Sequence, residues 1–115
     1  MKNINSLKNT IQFKKVYSEG KSFANRYLVM YVLKDQSELC IGISVSKKIG
    51  NSVIRHRTTR LIREVFTAYK ESINKDCHIV VVARSGAKGA ALGQIEESFK
   101  HLLDRHGIYE LKKNN

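Results

Sequence analysis

Proline is absent from the 115 residues, no repeat or low-complexity tract occurs, and cysteine is limited to Cys40 and Cys77. With no place for a linker, a single domain over residues 1–115 is expected, large enough to bury a core without a staple. The two cysteines lie far apart and outside any Cys-x-x-Cys or Cys/His spacing of a zinc site. They are expected as reduced core residues of a cytosolic protein. No stretch approaches the ~20 apolar residues of a membrane span. The first ten residues, MKNINSLKNT, lack the apolar run of a secretory signal, so a cytoplasmic location is expected. Acidic residues are scarce as well, 10 Asp and Glu against 21 Lys and Arg, for a net charge of +11. Residues 1–63 hold 13 cations against 3 acids, and residues 64–115 hold 8 against 7. A basic half joined to a near-neutral one is an electrostatic footprint for a polyanion, with nucleic acid the first partner to consider and an anionic membrane the rival.

What is present centres on Ser44 to Arg63, SVSKKIGNSVIRHRTTRLIR. Lys47 and Lys48 follow a strand-like run, Ile41 to Val45. Gly50 and Asn51 suit a turn, and Asn51 or Ser52 can cap a following helix that runs to about Ser72. At about 100° per residue, Ile54, Leu61, Ile62, Val65, Phe66 and Tyr69 share one side. His56, Arg57, Arg60 and Arg63 lie on the other, with Arg55 toward the edge of the apolar side. Like charges three residues apart destabilise a helix, and Glu64 is the only nearby relief. A face of forked guanidiniums suits phosphates, which Arg grips bidentately.

Around this run the expected order is α-β-β-β-α-β-α, an α+β two-layer sandwich with a four-stranded mixed sheet and a βαβ crossover. Asn9 or Thr10 can cap a first helix, in which Phe13, Val16 and Tyr17 form one stripe; on periodicity alone that stripe reads as core. Lys21–Ala24 and Tyr27–Lys34 are expected strands, and Asp35-Gln36-Ser37-Glu38 reads as a polar hairpin loop. Leu39 to Val45 alternates large residues with small ones (Cys40, Gly42, Ser44), which predicts a shallow floor on one side. Cys77–Ala83, CHIVVVA, reads as a strand buried on both faces. Gly86-Ala87-Lys88-Gly89 matches the G-x-x-G of KH domains, but it falls between a strand and a helix rather than between two helices, so a plain loop is expected. The last helix, Ala90 to Arg105, carries Leu92, Ile95, Phe99, Leu102 and Leu103 on one stripe. Residues 1–8 and 108–115 are expected to be flexible tails.

No catalytic constellation emerges. Glu19, Asp35, Glu38, Glu64, Glu71 and Asp76 show no pairing suited to acid–base work, and His56, His78, His101 and His106 are dispersed. His56 as a general base would need a second base and a protected pocket. On an Arg-rich helix face it reads as a hydrogen-bonding contact.

The central run resembles the signature of the bacterial ribonuclease P protein subunit: SVSKK, then Gly50-Asn51-Ser52-Val53, Arg55-His56-Arg57, Arg60 and Arg63. Phe13 to Tyr31, FKKVYSEGKSFANRYLVMY, is similar to that family's N-terminal half, and the likeness covers about residues 9 to 105. His56 stands where Asn is usual, and Thr59 where Lys is frequent. The resemblance implies a left-handed crossover and a catalyst that is RNA, with the protein binding that RNA and precursor tRNA while the 5′ leader is removed. It places Lys47, Lys48, Asn51, Arg55, His56, Arg57, Arg60 and Arg63 on the catalytic RNA. It also makes Phe13, Tyr17 and Tyr31 the lining of a leader-binding cleft between the first helix and the sheet. Mg2+ is expected in the holoenzyme, with no cofactor bound by the protein, no membrane and no required protein oligomer. The rival classes are a general basic RNA-binding module, ribosomal or chaperone-like, and a membrane-surface protein. The latter would need apolar residues facing outward on the basic helix.

Overall fold

The sheet is built around its most apolar segment. In the computed structural model, which describes residues 6–110, Cys77–Ala83 (β4) lies between two neighbours. It pairs antiparallel with Leu28–Lys34 (β2) and parallel with Cys40–Ser44 (β3), while Lys21–Ala24 (β1) pairs antiparallel with the outer edge of β2. The strand order is β1-β2-β4-β3. A strand apolar on both faces loses least by standing centrally with both faces covered, and Cys77, Ile79, Val80 and Val81 are all fully buried.

This order corrects the hairpin expected at residues 35–38. β2 and β3 are not partners, because β4 stands between them. The loop instead passes the start of β4, where the Gln36 N–H donates to the Asp76 carbonyl at 2.9 Å. The helix Ser52–Tyr69 (α2) carries the chain from β3 to β4, so the crossover, not the short polar loop, decides which strands touch.

The two faces carry different loads. Leu28, Met30, Val32, Ile41, Ile79 and Val81 meet α2 and the final helix Leu92–His106 (α3), which supply Ile62, Val65 and Phe66, and Ile95, Phe99, Leu102 and Leu103. Leu92, placed on that stripe by its spacing, is instead exposed in the first turn of α3. Thr58 is buried on the α2 stripe at 3% exposure, its hydroxyl satisfied by the Ile54 carbonyl at 2.9 Å. On the opposite face, Thr10–Glu19 (α1) seats Val16 on Cys40 and Val80. No helix among the described residues is long and apolar enough to cross a membrane.

The described parts of both expected tails are held. Leu7 is buried and its N–H donates to the Ile41 carbonyl at 3.0 Å. At the other end Ile108 is fully buried, and Tyr109 bridges Ile73. Isolated apolar residues in polar surroundings anchor these ends. Residues 1–5 and 111–115 lie outside the described residues.

His106 closes α3 as a buried side chain whose Nε2–H donates to the Met30 carbonyl at 2.9 Å. Burial pushes its pKa below the ordinary 6.5, helped by Lys34, Lys21 and Arg105 and opposed by the Met30 hydrogen bond. A histidine with a depressed folded pKa costs stability as pH falls below its unfolded value, because the unfolded chain takes up the proton first. The melting temperature should therefore fall from about pH 7.5 to about pH 5. His106→Gln, which keeps a donor for Met30 but cannot titrate, should flatten that dependence. An equally steep curve for the variant would assign the loss to other groups, His78 among them.

Candidate nucleic-acid interface

The basic helix is started by a short tight turn, Lys47–Ile49, pinned by buried Ile49 and by Ser46, whose hydroxyl accepts from the Lys48 N–H at 3.3 Å. Asn51 is the N-cap of α2, its side-chain oxygen accepting from the Ile54 N–H at 3.0 Å. That bond commits the Asn51 oxygen to the helix. Arg55 is likewise engaged. Its Nε–H donates to the Gly50 carbonyl at 3.2 Å, which folds the half-buried side chain back on the turn.

The remaining side chains of this face have no ion-pair partner among the described residues. Lys47, Lys48, His56, Arg57, Arg60 and Arg63 are all exposed. None of the three arginines reaches a described carboxylate within ion-pair distance, and Glu64 leaves Arg60 unpaired. His56, Arg57 and Arg60 border an open groove of about 630 Å³ that also takes in Val53 and half-buried Leu61. The opposed-stripe expectation thus holds for Ile62, Val65 and Phe66, which are buried, and Leu61 sits at the seam.

On the far face of the sheet, Phe13, Tyr17 and Tyr31 form a line. The Phe13 and Tyr17 ring centroids lie 6.4 Å apart, and Tyr17 meets Tyr31 edge-on at 4.8 Å. Tyr17 is 38% exposed, and the other two are half-buried. Only Val16 of the α1 stripe is core. The expected small-residue floor is occupied at its centre, since a Cβ on Gly42 would lie 2.5 Å from the Phe13 ring. The floor opens at Ser44, where Lys8, Asn9, Thr10, Phe13 and Ile43 surround a concavity of about 480 Å³.

A third group was not anticipated from the sequence. Arg26 precedes β2 and Arg84 follows β4, and the antiparallel register Leu28↔Ala83 brings both to one sheet end. Arg84 Nη1 donates to the Asn25 carbonyl at 2.8 Å, and the Arg26 guanidinium lies 5.5 Å from the Tyr27 ring centroid. The turn Ser85–Ala87 packs beside Lys47–Ile49, so this end adjoins the start of the basic helix. Gly86 is there for packing, since a Cβ would lie 2.5 Å from the Arg26 carbonyl oxygen. Pairing β2 with β4 would have revealed the cluster; composition alone carries no sign of it.

Among the described residues no group of three His, Cys, Asp or Glu side chains is placed to hold a metal ion. Cys40 and Cys77 are free, buried thiols; burial raises both pKa values, that of Cys77 to about 12, which makes them poor nucleophiles. His101 is tied to the Asn25 amide at 3.2 Å, and His106 is inside the core.

A small α+β fold with an unpaired guanidinium face and an aromatic line on the open sheet face has the surfaces expected of the RNA-binding class of proteins. A family model described as Ribonuclease P matches residues 1–107. The ribonuclease P protein component of Lachnoclostridium phytofermentans is 52% identical over 104 residues, covering 90% of each chain. The Staphylococcus aureus RNase P protein structure superposes with a TM-score of 0.84 at 35% identity, covering 94% of this chain and all of that one. The Thermotoga maritima RNase P protein gives 0.80 at 29% identity, covering 88% and 96%. The chain belongs to the ribonuclease P protein family, whose enzyme is the endoribonuclease of tRNA 5′ maturation.

Proposed function

We propose that the exposed face of α2, with Lys47, Lys48 and Asn51, binds the backbone of the catalytic RNA, while the Phe13–Tyr17–Tyr31 line takes the single-stranded 5′ leader of precursor tRNA. The observation that carries this is the set of exposed, unpaired arginines on one helix face. Cations so placed reduce the repulsion between two polyanions and release their condensed counterions. The aromatic line supplies sequence-tolerant stacking for unpaired bases. In this reading hydrolysis of the phosphodiester belongs to the RNA, and Mg2+ held by that RNA would supply water activation and stabilisation of the leaving oxygen. Within this reading the chain acts in the cytoplasm as one RNA-binding domain over residues 1–115, with no cofactor, membrane or second copy of its own. Arg55 and Asn51 serve partly by shaping the turn that presents the others.

The face is tested by Arg57→Ala and Arg60→Ala. Each lost phosphate contact should lower the slope of log K against log salt by roughly 0.7 to 0.9. Binding of ribonuclease P RNA should weaken while helicity, followed by circular dichroism, is kept. Unchanged affinity and slope in the double variant would remove this face from the interface.

A further inference from the structure

The groove on α2 contains more than a phosphate site requires. Val53 is 74% exposed one turn before Arg57, and Leu61, though packed against the core, also borders the groove. Phosphates gain nothing from apolar surface, and isolated guanidiniums would grip them on a flat helix. Glu64 sits at its edge as an exposed carboxylate that would repel phosphate, yet it can accept from the amino group of a base. Apolar floor, guanidinium planes and a hydrogen-bonding imidazole together are the means by which proteins hold unstacked bases.

The geometry points to a nucleobase site: an unpaired base of the catalytic RNA lies in the groove against Val53 and Leu61, flanked by Arg57 and Arg60, with His56 and Glu64 near its polar edges. This deepens the proposed function and rests on α2 meeting the catalytic RNA. Charge complementarity selects the occupant, since an exposed apolar strip ringed by His56, Arg57 and Arg60 suits an anionic chain that carries flat apolar groups. A protein side chain or a lipid tail would leave Arg57 and Arg60 uncovered.

The test compares ribonuclease P RNA with inorganic polyphosphate, an anion without bases. Ser is well tolerated in the first turn of a helix, so Val53→Ser should leave folding intact. Losing part of a valine's apolar contact predicts RNA binding about five- to tenfold weaker, with polyphosphate binding and the salt slope unchanged. Val53→Ile should bind RNA at least as well as the parent. Arg57→Ala should weaken both ligands and lower the slope. Parental RNA affinity in Val53→Ser, alongside an Arg57→Ala defect, overturns the base site and leaves the basic face standing. Equal weakening toward RNA and polyphosphate in Val53→Ser would show that the helix terminus was disturbed, which also overturns it. Unchanged binding in every variant, Arg57→Ala included, removes the basic face itself.

Discussion

Tyr17→Ala should weaken precursor tRNA binding to the reconstituted holoenzyme by roughly 1–3 kcal/mol, or about 5- to 150-fold, while mature tRNA binds as before. The geometry makes Tyr17 the informative member of the aromatic line. Phe13 lies over Gly42 and Tyr31 is a strand residue beside Val80, so truncating either also disturbs packing. Tyr17 is 38% exposed, meets Tyr31 edge-on and lies tilted against Phe13 at 6.4 Å, so its removal opens no closed cavity. A buried aromatic truncated to Ala would instead cost roughly 3–5 kcal/mol of folding stability. The melting temperature should thus move little, and affinity for the catalytic RNA should hold. A variant that melts much lower and loses both tRNAs alike would make the line core rather than a binding surface.

A second large effect, this time on stability, is expected at Asn25. Its side-chain oxygen accepts from the Tyr27 N–H at 3.1 Å, the Leu28 N–H at 3.1 Å and the Ser98 hydroxyl at 2.7 Å. Its amide donates to the Ser98 carbonyl at 3.1 Å and lies 3.2 Å from His101 Nδ1. One side chain therefore starts β2, fixes the turn from β1 and ties both to α3. Asn25→Ala leaves three donors without their acceptor at once. At about 1 kcal/mol for each in a partly buried site, the loss is roughly 3 kcal/mol. In a domain of this size that lowers the melting temperature by about 10–20 °C. Asn25→Asp keeps the acceptor but sets a carboxylate against the Ser98 carbonyl, and should fall between. A melting temperature for Asn25→Ala within about 2 °C of the parent would mean that water replaces the network at no cost.

The elements that were legible in the sequence are those set by local chemistry. The cap at Asn51, the apolar and cationic stripes of α2 and the doubly buried β4 follow from periodicity and residue type, which act within a few turns of chain. The resemblance reached the family and proposed the aromatic trio. What the sequence hid depends on contacts distant along the chain. The loop at residues 35–38 looks like a hairpin because nothing local shows that β4 will enter between β2 and β3. The small floor at Gly42 looked open because the Phe13 ring that covers it comes from another element. Leu92 obeys the α3 periodicity yet lies before the helix reaches the sheet. Nothing local marks Asn25, since its importance comes from Ser98, 73 residues away. On the basic face, residue type marked the cations, but only the fold separates Arg55, bound to its own turn, from the exposed Arg57 and Arg60.

The central claim is that this chain assists cleavage by a catalytic RNA through its basic helix. The direct measurement is cleavage of a precursor tRNA by ribonuclease P RNA at a magnesium concentration too low for the RNA alone. Adding the chain should restore release of the 5′ leader. At the same protein concentration the Arg57→Ala/Arg60→Ala double variant should restore it poorly, with recovery as protein is raised. Failure of the parent protein to restore cleavage would contradict the account, as would a double variant that works as well as the parent.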